Sequence, residues 1–326
     1  MKINKQYIDD AFNELSARKH RNKQIEDNRR SEVYKKIPEY NKLEVSLAAT
    51  MSDAVSSLFG SPDADIEAVF VKNRDIQTRM KELLESNGFP ADYLDPIYTC
   101  PKCKDTGNTG NEWCECICRI SNEFAAAELN RNAPLSRSRF DNFSLEHYPE
   151  KDDANNTSPR EIMKQNLEAC KQFARDFNGN GNGLCMIGAT GLGKTHLSLS
   201  IANAVIENGF CVVYVSVPEL IRKIQDEQIN KKTDTTMSLV LSSDLLILDD
   251  LGAENNSSDW NISLLYEIIN TRQNHSLPMI INTNLSPRQL KEIYHDRLSS
   301  RMISMKTLLF FGNDNRVKLS ENFGGT

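Results

Sequence analysis

The chain has 326 residues, 39% of them hydrophobic and 26% charged, with a net charge of −6 at pH 7. That length supports one substantial core and a smaller module, and the acidic balance argues against a general nucleic-acid coat, which would be basic throughout. No apolar run approaches the roughly 20 residues needed to span a bilayer, and the opening MKINKQYIDDAF lacks an apolar signal core, so a cytoplasmic protein without membrane contact is expected.

The first segment, through about Lys36, is charged and helix-prone, with a modest apolar stripe of Tyr7, Ile8, Phe12 and Leu15. A second helical region runs from Pro38 to about Leu84, interrupted by GSPDAD at 60–65. Leu47, Val55, Leu58, Phe70 and Leu83 are its expected core. Next comes CPKCKDTGNTGNEWCECIC, which holds five of the eight cysteines. Without a secretory leader these favour thiols or metal ligands over disulfides. Cys100 and Cys103 form C-x-x-C, and Cys114, Cys116 and Cys118 follow a loop in which Gly107 and Gly110 allow a tight reversal. Two cysteine pairs across a short turn suit tetrahedral Zn²⁺. Cys100, Cys103, Cys114 and Cys116 are the favoured ligands, with Cys118 able to replace one. The spacing fits no standard ferredoxin run, and a thioredoxin-like βαβ context is missing. The site is therefore expected to be structural, clipping together a segment too small to fold alone. Cys170, Cys185 and Cys211 sit among apolar residues and read as core thiols.

After a polar stretch at 150–160 the pattern changes. The β-type runs LCMIG, CVVYVSV, LLILDD and PMIINTN alternate with helical segments, which predicts an α/β architecture: a parallel sheet with helices on both faces. GATGLGKT, Gly188 to Thr195, fits G-x-x-x-x-G-K-[ST] in full, between a strand and a helix. Gly188, Ala189, Thr190, Gly191, Leu192 and Gly193 would turn their N–H groups toward the α- and β-phosphates of a nucleotide. The helix N-terminus would add partial positive charge. Lys194 would reach the β/γ-phosphates, and the Thr195 hydroxyl would hold Mg²⁺. LLILDD ends in Asp249 and Asp250, and carboxylates at the end of a buried strand are costly unless they meet a cation or donors. Asp249 is expected in the Mg²⁺ shell and Asp250 as the group that orients or deprotonates the attacking water, with Glu254 a second candidate. PMIINTNLS puts Asn282, Thr283 and Asn284 at a strand's carboxyl end, where ligands collect in open α/β sheets. A neutral amide there, Asn284 foremost, can hold the attacking water or sense the γ-phosphate.

Taken in order, GATGLGKTHL, LLILDDLGAE, LLYEIINTRQ, IINTNLSPRQL and DRLSSRM resemble the AAA+ ATPases of the DnaC/DnaI-type replicative helicase loaders, over about Phe140 to Lys318. IstB-type transposition ATPases share most of these motifs. The resemblance implies an AAA+ P-loop core over 161–326 with little or no C-terminal lid. It implies a linker over 121–160 whose RFDNFSL lies by the adenine, with Phe140 and Phe143 as contacts. It also implies a small helical N-terminal domain over 1–120, with the zinc module at about 98–120, that binds the replicative hexameric helicase. His196, inside the first motif, joins the nucleotide-binding set. The implied activity is ATP hydrolysis, stimulated by assembly or DNA and slow because Asp250 stands where many AAA+ proteins carry glutamate. Arg301, with Arg297 one turn before it, would enter the neighbouring subunit's site and stabilise charge on the γ-phosphate; Arg316 is a loose substitute for a lid arginine. Single-stranded DNA is the implied nucleic-acid partner, and Arg222, Lys223, Lys231 and Lys232 could follow its phosphates. Two alternatives remain: an IstB-type partner of a transposase, and a monomeric P-loop enzyme acting on a small substrate.

Overall fold

The structure, a computed structural model, describes residues 5–60, 66–110, 112–133, 135, 138–150, 158–230, 234–254 and 258–312, with backbone alone at 51–60, 66–68 and 132. The chain divides into two compact units, Phe12–Ile117 and Met1–Ala11 with Cys118–Thr326.

Helix α1 (Lys5–Lys36) is followed by α2 (Pro38–Gly60) and α3 (Ile66–Ser86). Proline at the first position of α2 has its φ already set for a helix and lacks only an N–H that would go unused. Val33, Ile37, Tyr40, Met80, Leu83, Leu84 and Phe89 form the core of the Phe12–Ile117 unit, with Leu47 and Ile76 packed on its margin. Ile76, Met80, Leu83 and Leu84 make the inward stripe of α3 at helical spacing. Phe70 lies off that stripe and is 68% exposed, so its expected place in the core is corrected. The side chains of Val55 and Leu58 lie outside the described residues. A two-stranded antiparallel hairpin, β1 (Asn108–Thr109) and β2 (Glu112–Trp113), leads into α4 (Glu115–Leu129).

The second unit continues with α5 (Pro159–Arg175), β3 (Leu184–Gly188), α6 (Lys194–Glu207), β4 (Val212–Ser216), α7 (Val217–Ile229) and α8 (Thr235–Ser242). Then follow β5 (Leu245–Leu251), α9 (Asp259–Asn274), β6 (Met279–Thr283), α10 (Pro287–Ile303) and β7 (Lys306–Phe310). The five strands β3 to β7 form one parallel sheet in the order β4-β5-β6-β3-β7. The four expected strands are present. The fifth, KTLLF, is not predicted from the sequence, because an edge strand with Lys306 and Leu309 exposed carries only a weak alternation.

Period-2 geometry sorts the strand residues between two cores. Leu184, Met186, Val212, Leu245, Ile247 and Ile280 face α5 and α6, joining Met163, Leu167, Leu197 and Ile201. Cys185, Ile187, Val213, Val215, Leu246, Leu248 and Ile281 face the other way, against Leu220, Ile224, Leu265, Ile268, Leu290 and Leu298. The sheet is covered on both faces, as its continuous apolar strands predict. This parity matters for the site: residues 214, 249 and 282 share the α6 face. Among the described residues no helix is long and apolar enough to cross a membrane.

Candidate functional site

The loop between β3 and α6 is shaped by Gly193, which caps α6 at φ 87°. A Cβ there would stand 2.8 Å from both the Phe143 ring and the Tyr148 hydroxyl, so only glycine keeps the loop this close to the segment that precedes it. Lys194 is 7% exposed, and its ammonium donates to the carbonyls of Gly188 (2.6 Å) and Ala189 (2.7 Å) and to Asn284 Oδ1 (2.7 Å). The ammonium thus links the phosphate loop to the end of β6. Thr195, one residue on, donates to Asp249 at 3.0 Å.

Asp249 is 2% exposed and receives hydrogen bonds from four groups. Oδ2 accepts from Tyr214 (2.5 Å) and Thr195, and Oδ1 from Asn282 Nδ2 (2.9 Å) and the Asp250 amide (3.1 Å). Ser198 donates to Asn282 Oδ1 and holds that amide in turn. Burial, then the charge of Asp249, pushes the Tyr214 hydroxyl well above the ordinary phenol range, so it remains a donor. Thr195 offers a hard oxygen ligand beside the loop and Asp249 a carboxylate directly behind it, a set that suits a Mg²⁺ that keeps several of its waters.

Strict alternation would turn Asp250 toward the opposite core. Instead the β5–β6 register shifts between Leu248 and Leu251, and Asp250 adopts φ 54°. Such an irregularity re-aims a side chain, a common device beside active sites. Asp250 consequently lines the same cleft of about 470 Å³ as the loop residues Thr190 to His196 and Asn284. Glu254 is occupied elsewhere: its carboxylate accepts from the buried Tyr294 hydroxyl and from the Gly252 amide at 2.9 Å, and it does not line the cleft.

The far end of the cleft is built from the expected adenine-side segment. Phe143 lines it, 6.0 Å from the Tyr148 ring and 5.4 Å from His196. Phe140 does not line it and packs against the α5–α6 core instead. Tyr148, fully buried, donates to the Leu192 carbonyl at 2.9 Å, and His196 Nε2 bonds the Arg139 carbonyl at 3.0 Å. Asn203 donates to the carbonyls of Leu135 and Ser138. Phosphate loop and preceding segment are thereby fastened at several points. Tyr148, Tyr214, Ser198 and Asn203 were not among the expected site residues. None of the four carries a sequence signal, since Tyr214 is tied to Asp249 only by the β4–β5 pairing.

Helix α10 starts on a capping box of Ser286 and Gln289 with Pro287 at its first position. It breaks at His295 (φ 59°, ψ 172°), so Arg297 and Arg301 ride on a segment separate from the one after β6. Asp296 and Glu292 pair instead with Lys291 and Arg288, not with these arginines. Arg301 lies over the Tyr266 ring at 5.4 Å and donates to Gln273 Oε1 at 3.3 Å. Arg297 is exposed. In the basic stretch after β4, Arg222 is exposed and Lys223 pairs with Glu219 at 3.8 Å; Lys231 and Lys232 lie outside the described residues, as does Arg316.

In the other unit the sulfurs of Cys100, Cys103, Cys114 and Cys116 all lie within 4.8 Å of one another. Tetrahedral zinc with Zn–S bonds near 2.3 Å needs sulfurs about 3.8 Å apart. Here Cys100 and Cys114 are 3.8 Å apart and Cys103 and Cys116 are 3.5 Å apart, so the four thiols fit that ion. Cys118 is not in the group. The Cys103 amide beside Cys100 pulls that thiol down to about 7, whereas burial pushes the Cys116 thiol up. Asp105 accepts from the amides of Thr99 and Cys100 at 2.8 and 2.7 Å and fixes the first knuckle. Burial pushes Cys170, Cys185 and Cys211 up to about 12. Cys103→Ser is therefore expected to abolish stoichiometric zinc and to melt the helical signal of the Phe12–Ile117 unit while nucleotide binding persists. Metal analysis with circular dichroism checks this, and a full zinc complement in the variant would refute the ligand assignment.

Residues 147–305 match the model of the family described as IstB-like ATP binding protein. The replicative helicase loader DnaI of Bacillus subtilis (strain 168) is 30% identical over 131 residues, 40% of this chain and 42% of that protein. The replicative helicase loader DnaC of Escherichia coli (strain K12) is 25% identical over 138 residues, 42% of this chain and 56% of that one. A crystal structure of the DnaC helicase loader covers 55% of this chain and 99% of its own, at 26% identity and a TM-score of 0.47. The chain thus spans about half the length of the curated relatives it matches.

Proposed function

We propose, from the match of residues 147–305 to the model described as IstB-like ATP binding protein, that the protein is an AAA+ ATPase that loads the replicative hexameric DNA helicase onto single-stranded DNA. The convergence of Lys194, Thr195, Asp250 and Asn284 on one cleft, with Asp249 buried behind Thr195 and bonded to it, carries the ATPase reading. The relatives named as replicative helicase loaders support the loader role over the transposition partner.

In this reading the amides of Gly188 to Gly193 and the Lys194 ammonium hold the phosphates, and Phe143 flanks the base. Thr195, with Asp249 behind it, would hold Mg²⁺, which would supply charge neutralisation at the phosphates. Asp250 orients the attacking water and takes up its proton, while Asn284 holds that water or the γ-phosphate in line. Asp250 has a shorter arm than glutamate, and turnover is accordingly slow, the behaviour of a switch. Arg301 completes a neighbouring subunit's site, so activity depends on self-association. Residues 1–120, built around a Zn²⁺ site, grip the helicase in the ATP-bound assembly, Arg222 and Lys223 contribute to a DNA-facing strip, and hydrolysis releases the grip. The protein works in the cytoplasm.

Co-purification with a hexameric helicase tests the partner. The full chain with ATP and Mg²⁺ is expected to retain the helicase, and a chain lacking residues 1–120 is expected to lose it. Equal retention by both would overturn the assignment of the N-terminal region.

A further inference from the structure

Tyr214 has no part in the mechanism above, yet it makes the shortest of the contacts to Asp249. We propose that Tyr214 is a positioning residue for the cation site: its hydroxyl holds the Asp249 carboxylate in the orientation that receives the magnesium–nucleotide complex. It therefore sets the Mg²⁺ requirement and leaves intrinsic nucleotide affinity alone. The inference rests on the reading of Asp249 as the cation-side carboxylate.

The geometry follows from the sheet. In the β4–β5 register Ser216 stands opposite Asp249 and Tyr214 opposite Ile247. Tyr214 and Asp249 are therefore diagonal neighbours on the α6 face, a separation that a long aromatic side chain bridges. The Tyr214 hydroxyl reaches Asp249 Oδ2 at 2.5 Å. An ionised carboxylate offers about four lone-pair directions, and Asp249 meets four donors: Tyr214, Thr195, Asn282 and the Asp250 amide. At 2% exposure water does not replace a lost donor. Thr195 is the expected cation ligand, and with its proton on Asp249 its lone pairs face outward. A saturated Asp249 then meets the cation through the Thr195 hydroxyl and through the waters that Mg²⁺ retains. Partners of this kind orient a metal site from outside its ligand set, and losing one typically costs about 10–100-fold in metal affinity.

Asp249 is the one hydrogen-bond partner of the Tyr214 hydroxyl among the described residues, and the ring packs at the margin of the α5–α6 core. Phenylalanine would keep the packing and remove only the hydroxyl. The test uses the full chain, a fluorescent ATP analogue and a Mg²⁺ titration from an EDTA baseline, with Tyr214→Phe and Asp249→Asn in parallel. Tyr214→Phe is expected to bind the analogue in EDTA within about twofold of the parent, while the Mg²⁺ concentration at half-maximal effect rises about tenfold. If Asp249→Asn shifts that midpoint and Tyr214→Phe does not, the Tyr214 inference fails alone. If neither shifts it, the Asp249 reading fails and takes the inference with it. Weakened binding in EDTA equal to that in Mg²⁺ would make Tyr214 a packing residue and also overturn the proposal. A melting-temperature measurement on each variant keeps misfolding from posing as any of these results.

Discussion

Lys194→Ala is expected to weaken ATP binding by about one to two orders of magnitude and to bring hydrolysis to background. The ammonium is nearly buried, and its acceptors are two loop carbonyls and Asn284 Oδ1. An arriving phosphate would offer that ammonium a charged acceptor in place of these neutral ones. A hydrogen bond to a charged partner is worth about 1.5–3 kcal/mol net, which is about 10–150-fold in affinity at 1.4 kcal/mol per decade. Hydrolysis should suffer more, because the same ammonium fixes Asn284 against the loop and stabilises charge that grows as the γ-phosphoryl group leaves. Titration with a fluorescent ATP analogue and a phosphate-release assay would measure the two effects separately. Parent-like binding by Lys194→Ala would remove the nucleotide site from the position given to it here, and the roles of Thr195, Asp249 and Asp250 with it.

The parts of this site that were legible in the sequence are those fixed by local backbone chemistry. G-x-x-x-x-G-K-[ST] between a strand and a helix specifies where the amides and the ammonium go, since the loop is continuous in the chain. The apolar runs ending in Asp249 and in Asn282–Asn284 specify strand ends, and parallel pairing brings those ends to one edge of the sheet. What stayed hidden depends on contacts between distant segments. Asp250 was expected at the site, but not the register shift and left-handed residue at the end of β5 that turn it into the cleft; simple alternation gives the wrong face. Tyr214 looks like one more β-strand aromatic until the order of strands puts β4 beside β5. The break at His295 has no glycine or proline to announce it, and HDRLSSRM reads as one unbroken helix with its upstream neighbour. Phe70 failed as a core residue for a simpler reason: apolarity suggests burial, but the angle around the helix decides it.

Arg301→Ala should lower the maximal ATPase rate by about 10³-fold or more, the range in which an arginine supplied by a neighbour acts, with ATP affinity almost unchanged. The parent's rate per site should rise with protein concentration, whereas the variant's should stay flat. Within its own chain the Arg301 guanidinium sits on Tyr266 and Gln273, contacts that oppose its transfer to a neighbour. Magnitudes decide the matter. An exposed cation–π contact is worth about 0.5–1 kcal/mol, and a neutral hydrogen bond about 0.5–1.5 kcal/mol net. A 10³-fold rate effect corresponds to about 4 kcal/mol at the transition state. Leaving Tyr266 and Gln273 thus costs less than a neighbouring γ-phosphate returns, and the local contacts act as a resting place that limits the conformations to be searched. If Arg301 serves only its own fold, Arg301→Ala should lower the melting temperature and reduce the rate by the same modest factor at every protein concentration. That outcome, or a parent rate that is flat with concentration, would leave a solitary ATPase and end the claim that the site is shared between subunits.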